Sequence, residues 1–330
     1  MIVEDAHWAD PTSLEAFGQA VDQIASLRAL LIVTFRSEFE PPWIGRSHVT
    51  SIAVNRLAER DVRDMIDHVV GNKLLPPEVR QDIIERTDGI PLFVEEMTKA
   101  VLEAENEGTA QRTAVTVPSP ALAVPASLLG SLLARLDRVG PAKEVAQIGA
   151  ALGRKFSHAL LAAVVRKPEA ELPTALDRLI VAGLLFRQGV APQATYLFKH
   201  ALVQDAAYGT LLREPKRALH ARIAEVLESQ FHDIADHHPE SLAHHCTEAG
   251  LIEKAAGLWG RAGQRSLGRA ALIEAAGQLS RALDQIATLP STTSLRREQI
   301  ELQVALINPL MHVKGTALQR LRQQPSEPDF

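Results

Sequence analysis

The opening segment Met1-Ile2-Val3-Glu4-Asp5-Ala6-His7-Trp8-Ala9-Asp10 constrains the fold more than any other part of the chain. A short apolar run that ends in two adjacent carboxylates reads as a buried strand delivering acid groups to its C-terminal edge. Asp10-Pro11 then starts a helix, because the aspartate can cap the free amides and proline fits the first helical position, where its missing N–H costs nothing. Leu14, Phe17, Val21 and Ile24 recur at helical spacing and mark a buried face. Leu30-Leu31-Ile32-Val33-Thr34-Phe35 is a continuous apolar run, expected as a fully buried parallel strand. Strand, helix and strand in succession form the βαβ pattern of an α/β core. A further short strand is expected over 49–54, after the Pro41-Pro42 loop.

Beyond this start the composition favours helix. Aromatic residues make up only 4% of the chain and Ala and Leu dominate, residues that lose little entropy in a helix. The 330 residues suffice for about two or three domains. A net charge of -5 gives no bulk electrostatic case for nucleic acid. Cys246 stands alone, so no internal disulfide forms, which fits a reducing, cytoplasmic setting. No apolar stretch approaches the ~20 residues of a membrane span, so a membrane partner is not expected. Acids stand where a signal peptide carries basic residues.

The chain divides by periodicity. Residues 1–58 read as a partial α/β core, and 59–110 as a helical lid subdomain with helices over Glu59–Val70, Pro77–Thr87 and Leu92–Glu105. Residues 111–125, with Pro118, Pro120 and Pro125, read as a linker. Residues 126–232 carry helices around Ser127–Arg138, Ala142–Leu152, Ser157–Val165 and Pro173–Ala182, capped by Gly183. A hairpin of Leu184–Gln188 with Thr195–Phe198 follows, giving a winged-helix-like plan. His200–Leu212 and Lys216–Phe231 continue as helices. Residues 233–315 are all helix: Leu251–Ser266, Ala270–Leu289 and Leu295–Val313. Trp259, Gly260, Gly263, Ala271, Ala275, Leu279, Ala282 and Pro290 resemble the small-and-large alternation of a tetratricopeptide repeat. Residues 316–330 are expected as a disordered tail.

Several side chains are candidates for chemistry. By position, Glu4 faces a Mg²⁺ ion and Asp5 acts on an attacking water; solvated turn residues are the alternative. Arg36 follows the second strand at the edge that faces the ligand crevice of an α/β sheet, where a guanidinium can read a γ-phosphate with two parallel hydrogen bonds. Gly89-Ile90-Pro91 precedes a helix, with Pro91 at its first position and its ring free to lie against an adenine; a plain helix start is the alternative. Lys199 and His200 have no evident nucleophile nearby. His232, His237, His238, His244, His245 and Cys246 cluster without a zinc spacing. Arg213, Lys216, Arg217 and Arg222 are interleaved with Glu214, Glu225 and Glu228, more typical of a solvated face than a phosphate-tracking stripe.

Four segments then occur in a telling order: Ile2–Asp10, Val33-Thr34-Phe35-Arg36, Asp88-Gly89-Ile90-Pro91-Leu92-Phe93-Val94-Glu95-Glu96, and Phe198-Lys199-His200-Ala201-Leu202-Val203-Gln204-Asp205-Ala206-Ala207-Tyr208. Together they resemble the signal-transduction ATPases called STAND NTPases. The likeness is nearest to the ATPase–tetratricopeptide portion attached to bacterial class III adenylate/guanylate cyclases and to large LuxR-type regulators. The resemblance implies that Glu4 and Asp5 are Walker B acids, with Glu4 at the metal and Asp5 catalytic. It implies that Arg36 is a sensor arginine and that Gly89 and Pro91 form the Gly-x-Pro nucleotide contact. It implies ATP/ADP and Mg²⁺ as cofactors and an ATP-dependent switch as the function.

The expected fold is mainly α, with a partial α/β P-loop NTPase core, a winged-helix-like middle and tetratricopeptide-like C-terminal repeats. The 330 residues contain no G-x-x-x-x-G-K-[ST]. A chain truncated before Walker B is therefore expected, with weak nucleotide binding and little ATPase activity of its own. The exposed strand edge near Val3 is then an association hazard. Expected partners are a protein bound through the helical repeats and the missing P-loop or cyclase portion, with DNA disfavoured. The alternatives are an interaction adaptor with an inert ATPase remnant, and a fragment of a LuxR-type transcription regulator.

Overall fold

The structure is a computed structural model that describes residues 1–71, 73, 75–111, 128–165 and 171–323. β1 (Ile2–Val3) leads through a short 3-10 turn (Ala6–Trp8) into α1 (Pro11–Ile24), and β2 (Ile32–Val33) follows. The two strands pair in parallel, Ile2 opposite Ile32 and Val3 opposite Val33, as strands joined through a helical crossover do. Asp10 caps α1, accepting the Ser13 N–H at 2.8 Å. The run from Leu30 to Phe35 departs from expectation. Its paired part is only Ile32–Val33, and Leu30 and Ile32 are 71% and 45% exposed. A parallel strand is buried when strands flank it and helices cover both faces; among the described residues β2 pairs with β1 alone. The strand expected over 49–54 is likewise absent among the described residues; Ile52 and Val54 are exposed and lie outside any ladder.

The chain forms two compact units, one of Met1–Ile52 with His220–Phe330, the other of Ala53–Leu219. The second unit begins with α2 (Glu59–Val70), α3 (Pro77–Thr87) and α4 (Pro91–Gln111). Val62, Ile66 and Val70 repeat every fourth residue and Val94, Met97 and Val101 fall on one face of α4, so these stripes meet around Ile83 in a closed core. The expected linker lies outside the described residues, except Gln111 at the end of α4. There follow α5 (Leu128–Arg138), α6 (Ala142–Leu152), β3 (Lys155–Ser157), α7 (His158–Val164), α8 (Glu171–Val181), β4 (Leu185–Gln188), β5 (Thr195–Phe198) and α9 (Ala201–Gly209). The β4–β5 hairpin is antiparallel as expected, with Leu185 opposite Phe198. β3 is an addition: it pairs along the other side of β5, Phe156 opposite Tyr196, and makes a sheet of order β3-β5-β4. Phe156, Phe198, Leu161, Leu176, Leu179 and Leu185 are buried.

The division between the units falls within α10 (Arg213–Gln230). α11 (His232–His237), α12 (Pro239–Ala249), α13 (Ile252–Gly268), α14 (Leu272–Ala287) and α15 (Thr293–Gln323) follow. From α12 onward each helix packs on the next. The α13–α14 crossing is close because Gly263 has no side chain: a Cβ there would lie 2.5 Å from Leu279 Cγ. Trp259 is buried nearby, its indole N–H donating to Thr247 Oγ1 at 3.0 Å. α15 runs on through Gln323, so residues 316–323 of the expected tail are helical and 324–330 lie outside the described residues. The protein is mainly helical. Among the described residues no helix is long and apolar enough to cross a membrane.

Candidate functional site

The acid loop is stitched to the end of β2. Thr34 N–H donates to the Val3 carbonyl at 2.9 Å and Ala6 N–H to the Thr34 carbonyl at 2.9 Å. Asp5 N–H donates to Thr34 Oγ1 at 3.0 Å. Asp5 has φ 55, in the left-handed region, which Asp tolerates better than most residues and which turns the chain sharply after Glu4. Glu4 is exposed and Asp5 half-buried. Since β1 and β2 are parallel, Glu4-Asp5 and Thr34–Arg36 leave their strands at the same edge, the ligand side of an α/β sheet. The Arg36 guanidinium lies over the Trp8 ring, 5.6 Å from its centroid, a cation–π contact. Both ring nitrogens of His7 are buried without hydrogen-bond partners. Buried polar atoms are rarely left so.

Glu4, Asp5 and Arg36 are thus brought to one edge, whereas Gly89 and Pro91 belong to the other unit. Pro91 is the first residue of α4, as expected. Gly89 has a packing reason for its identity. Its φ is +69, Leu57 N–H donates to its carbonyl at 2.8 Å, and a Cβ would stand 2.4 Å from the Leu57 carbonyl oxygen. One turn on, Glu95 accepts from Lys199 at 2.6 Å and also from Lys99. Burial raises the Glu95 carboxyl, but these two ammonium groups outweigh it and hold it down to about 2. Burial lowers the Lys199 ammonium, and its bond to Glu95 more than reverses this. His200 is pushed down by burial and by the Lys199 charge, and its Nε2 is buried without a partner. Lys199 is therefore committed to an ion pair beside the start of α4.

Sequence reasoning missed Arg135. It is 4% exposed, and Glu96 opposite it is 1% exposed. The guanidinium bonds Glu96 on α4 and the Ala182 carbonyl just past the end of α8, and Glu103 Oε1 lies 3.4 Å from its Nε. One side chain of α5 thereby ties α4 to the end of α8, beside a cleft of about 590 Å³ that Glu103, Arg138, Asp177 and Arg178 also line. The only local signal was an arginine on the apolar side of an otherwise regular helix.

The histidine cluster resolves differently from its sequence order. His245 pairs with His220, Nδ1 to Nδ1 at 2.9 Å, both buried, and His244 packs edge-on against His220. Such a bond needs one Nδ1 protonated and the other bare, so at least one of the two rings is neutral. Burial, with His220 and His244 alongside, pushes His245 down to about 3. Burial pushes the Cys246 thiol up to about 11. His237 bonds the Asp233 carbonyl and His238 bonds Glu240. Among the described residues no group of three or more His, Cys, Asp or Glu could hold a metal ion. The two carboxylates of the acid loop suit Mg²⁺ only in the manner of nucleotide sites, where one or two carboxylates share the ion with phosphates and water.

A second candidate surface lies in the C-terminal helices. Gly257, Gly260, Arg261, Gln264, Arg297 and Glu301 line a groove of about 390 Å³ between α13 and α15.

No family model matches the chain. An uncharacterized protein of Rhizobium meliloti (strain 1021) is 33% identical over 291 residues, which is 86% of this chain and 27% of that protein. The chain thus spans 27% of the length of the curated relative it matches.

Proposed function

We propose that this chain supplies the Walker B and sensor side of a STAND-type ATPase switch, followed by its winged-helix and tetratricopeptide-like portions. The observation that carries the reading is the parallel β1–β2 pair, which sets Glu4-Asp5 beside Thr34–Arg36 at one strand edge. Glu4 would hold Mg²⁺ through water and Asp5 would orient and polarise the attacking water. Arg36 would read the γ-phosphate. Mg²⁺ bound with ATP supplies charge neutralisation at the phosphates. No phosphate-cradling glycine loop occurs in the 330 residues, so these residues alone would bind ATP weakly and turn it over little. In an intact switch, ATP and ADP would favour different arrangements, and the output would be a population shift read by a cyclase or regulator module. Titration of ATP by calorimetry in millimolar Mg²⁺ tests this. Binding no tighter than roughly millimolar is expected; clear micromolar binding contradicts it.

The groove between α13 and α15 favours a second reading, a protein-interaction adaptor with an inert ATPase remnant. On that reading Asp5→Asn and Arg36→Ala leave partner capture unchanged. On the switch reading they alter it. Use of the winged-helix-like region on DNA, as in a LuxR-type regulator, has the net charge of -5 against it.

A further inference from the structure

α1 begins with two carboxylates rather than one. Asp10, its own cap, accepts from the Ser13 N–H at 2.8 Å and from the Ser13 hydroxyl at 2.6 Å. The other carboxylate arrives from 262 positions along the chain. Glu274 accepts the Thr12 N–H through Oε1 at 3.1 Å and the Thr12 hydroxyl through Oε2 at 2.9 Å. The first-turn amides of a helix have no partner within the helix, and an anion at that end is favoured by the helix dipole. Glu274 is itself in the first turn of α14. One carboxylate therefore serves the starts of two helices, one following the acid loop and one inside the repeat array.

Thr12 lies two residues beyond Asp10, where the loop that begins at Glu4-Asp5 ends. Burial raises the Asp10 carboxyl, but its hydrogen bonds with Ser13 outweigh this and leave it below its usual range. Gly263 and Leu279 hold α14 hard against α13, so Glu274 moves with the repeat helices rather than alone.

We propose that Glu274 is a latch through which the repeat helices set the position of α1 and of the acid loop leading into it. Whatever moves α13 and α14, such as a protein seated in the groove between α13 and α15, is then felt at Asp5. The regulatory meaning of the latch rests on the reading of Glu4 and Asp5 as nucleotide-site acids, but the contact is testable without nucleotide.

The test is amide hydrogen exchange on the full chain, comparing Glu274→Ala, Thr12→Val and Thr12→Ser with the unaltered protein. Glu274→Ala is expected to speed exchange across residues 5–14 about fivefold, the equivalent of losing one helix cap, while 252–268 stay as protected as before. Thr12→Val, which leaves α14 intact, is expected to give a smaller rise over 5–14, and Thr12→Ser none. Unchanged exchange over 5–14 in Glu274→Ala overturns the latch. So does a rise spread evenly over α13 and α14 with no effect of Thr12→Val, which would be loosened repeat packing. Local release in Glu274→Ala together with no response of residues 4–10 to Mg²⁺-ATP would leave the latch standing and remove only the nucleotide reading.

Discussion

Arg135 offers the sharpest energetic test. Its guanidinium and the Glu96 carboxylate are almost wholly buried, and Glu96 Oε1 has no hydrogen-bond partner, with Lys99 Nζ at 4.0 Å. Arg135→Met would leave that carboxylate in the interior with Lys99 Nζ, at 4.0 Å, as its nearest described cation, and would also unbind the Ala182 carbonyl. Breaking a buried pair from one side costs about 3–5 kcal/mol, because the remaining charge stays buried. Glu96→Gln strands the guanidinium less completely, since Glu103 stays within 3.4 Å, so its cost belongs at the lower end. Arg135→Met combined with Glu96→Leu removes both charges and restores apolar volume, and should be less destabilised than Arg135→Met alone by about 2 kcal/mol. Urea melts followed by far-ultraviolet circular dichroism measure this. Trp8, Trp43 and Trp259 all lie in the other unit, so tryptophan emission gives a separate readout of that unit. Additive single and double effects, or an Arg135→Met cost below about 1 kcal/mol, would refute the claim that the pair is buried and mutually dependent.

Other outcomes follow from the same geometry. Gly89→Ala forces a Cβ to within 2.4 Å of the Leu57 carbonyl oxygen at φ +69, and should destabilise the packing of α2, α3 and α4 by about 1–3 kcal/mol in the same melts; a neutral effect contradicts the close approach. His245 is neutral in the folded protein down to about pH 3, against an unfolded value of 6.5. The unfolded chain therefore takes up a proton that the folded one refuses. Stability is intact above about pH 6.5 and falls as pH drops toward 3, by up to about 1.4 kcal/mol per unit. Melts followed by tryptophan emission at about pH 7, 6 and 5 should show this slope, flattened in His245→Gln; an equal slope in both counts against it. Cys246 is fully buried with its thiol at about 11, so iodoacetamide should leave it unlabelled until urea unfolds the protein; prompt labelling in buffer contradicts this placement.

Much of the helical order was legible because its cues are local. Pro11 and Pro91 start helices, Gly183 ends one, and Gly263 facing Leu279 shows the small-and-large fit of two closely packed helices. The hairpin of β4 and β5 was legible for the same reason. β3 was not: three residues with Phe156 alone buried give no alternation to read. The apolar run through Leu30 looked buried because sequence reports hydrophobicity, and burial depends on neighbours that a local pattern does not name. The shared strand edge of Glu4-Asp5 and Arg36 could be read, since parallel pairing follows from a βαβ pattern. Arg135, Glu274 and His220 could not. Their partners lie 39, 262 and 25 positions away, and apart from the place of Arg135 on the apolar side of its helix their immediate sequence does not distinguish them from surface residues.

On the proposed function, the acid loop and the Arg36 edge belong to a Mg²⁺-nucleotide site. Hydrogen exchange of the full chain with and without millimolar Mg²⁺-ATP tests it most directly. The account predicts added protection at residues 4–10 and 34–36, lost in Arg36→Ala. Protection elsewhere with none at those residues, or protection there that Arg36→Ala leaves untouched, would contradict it.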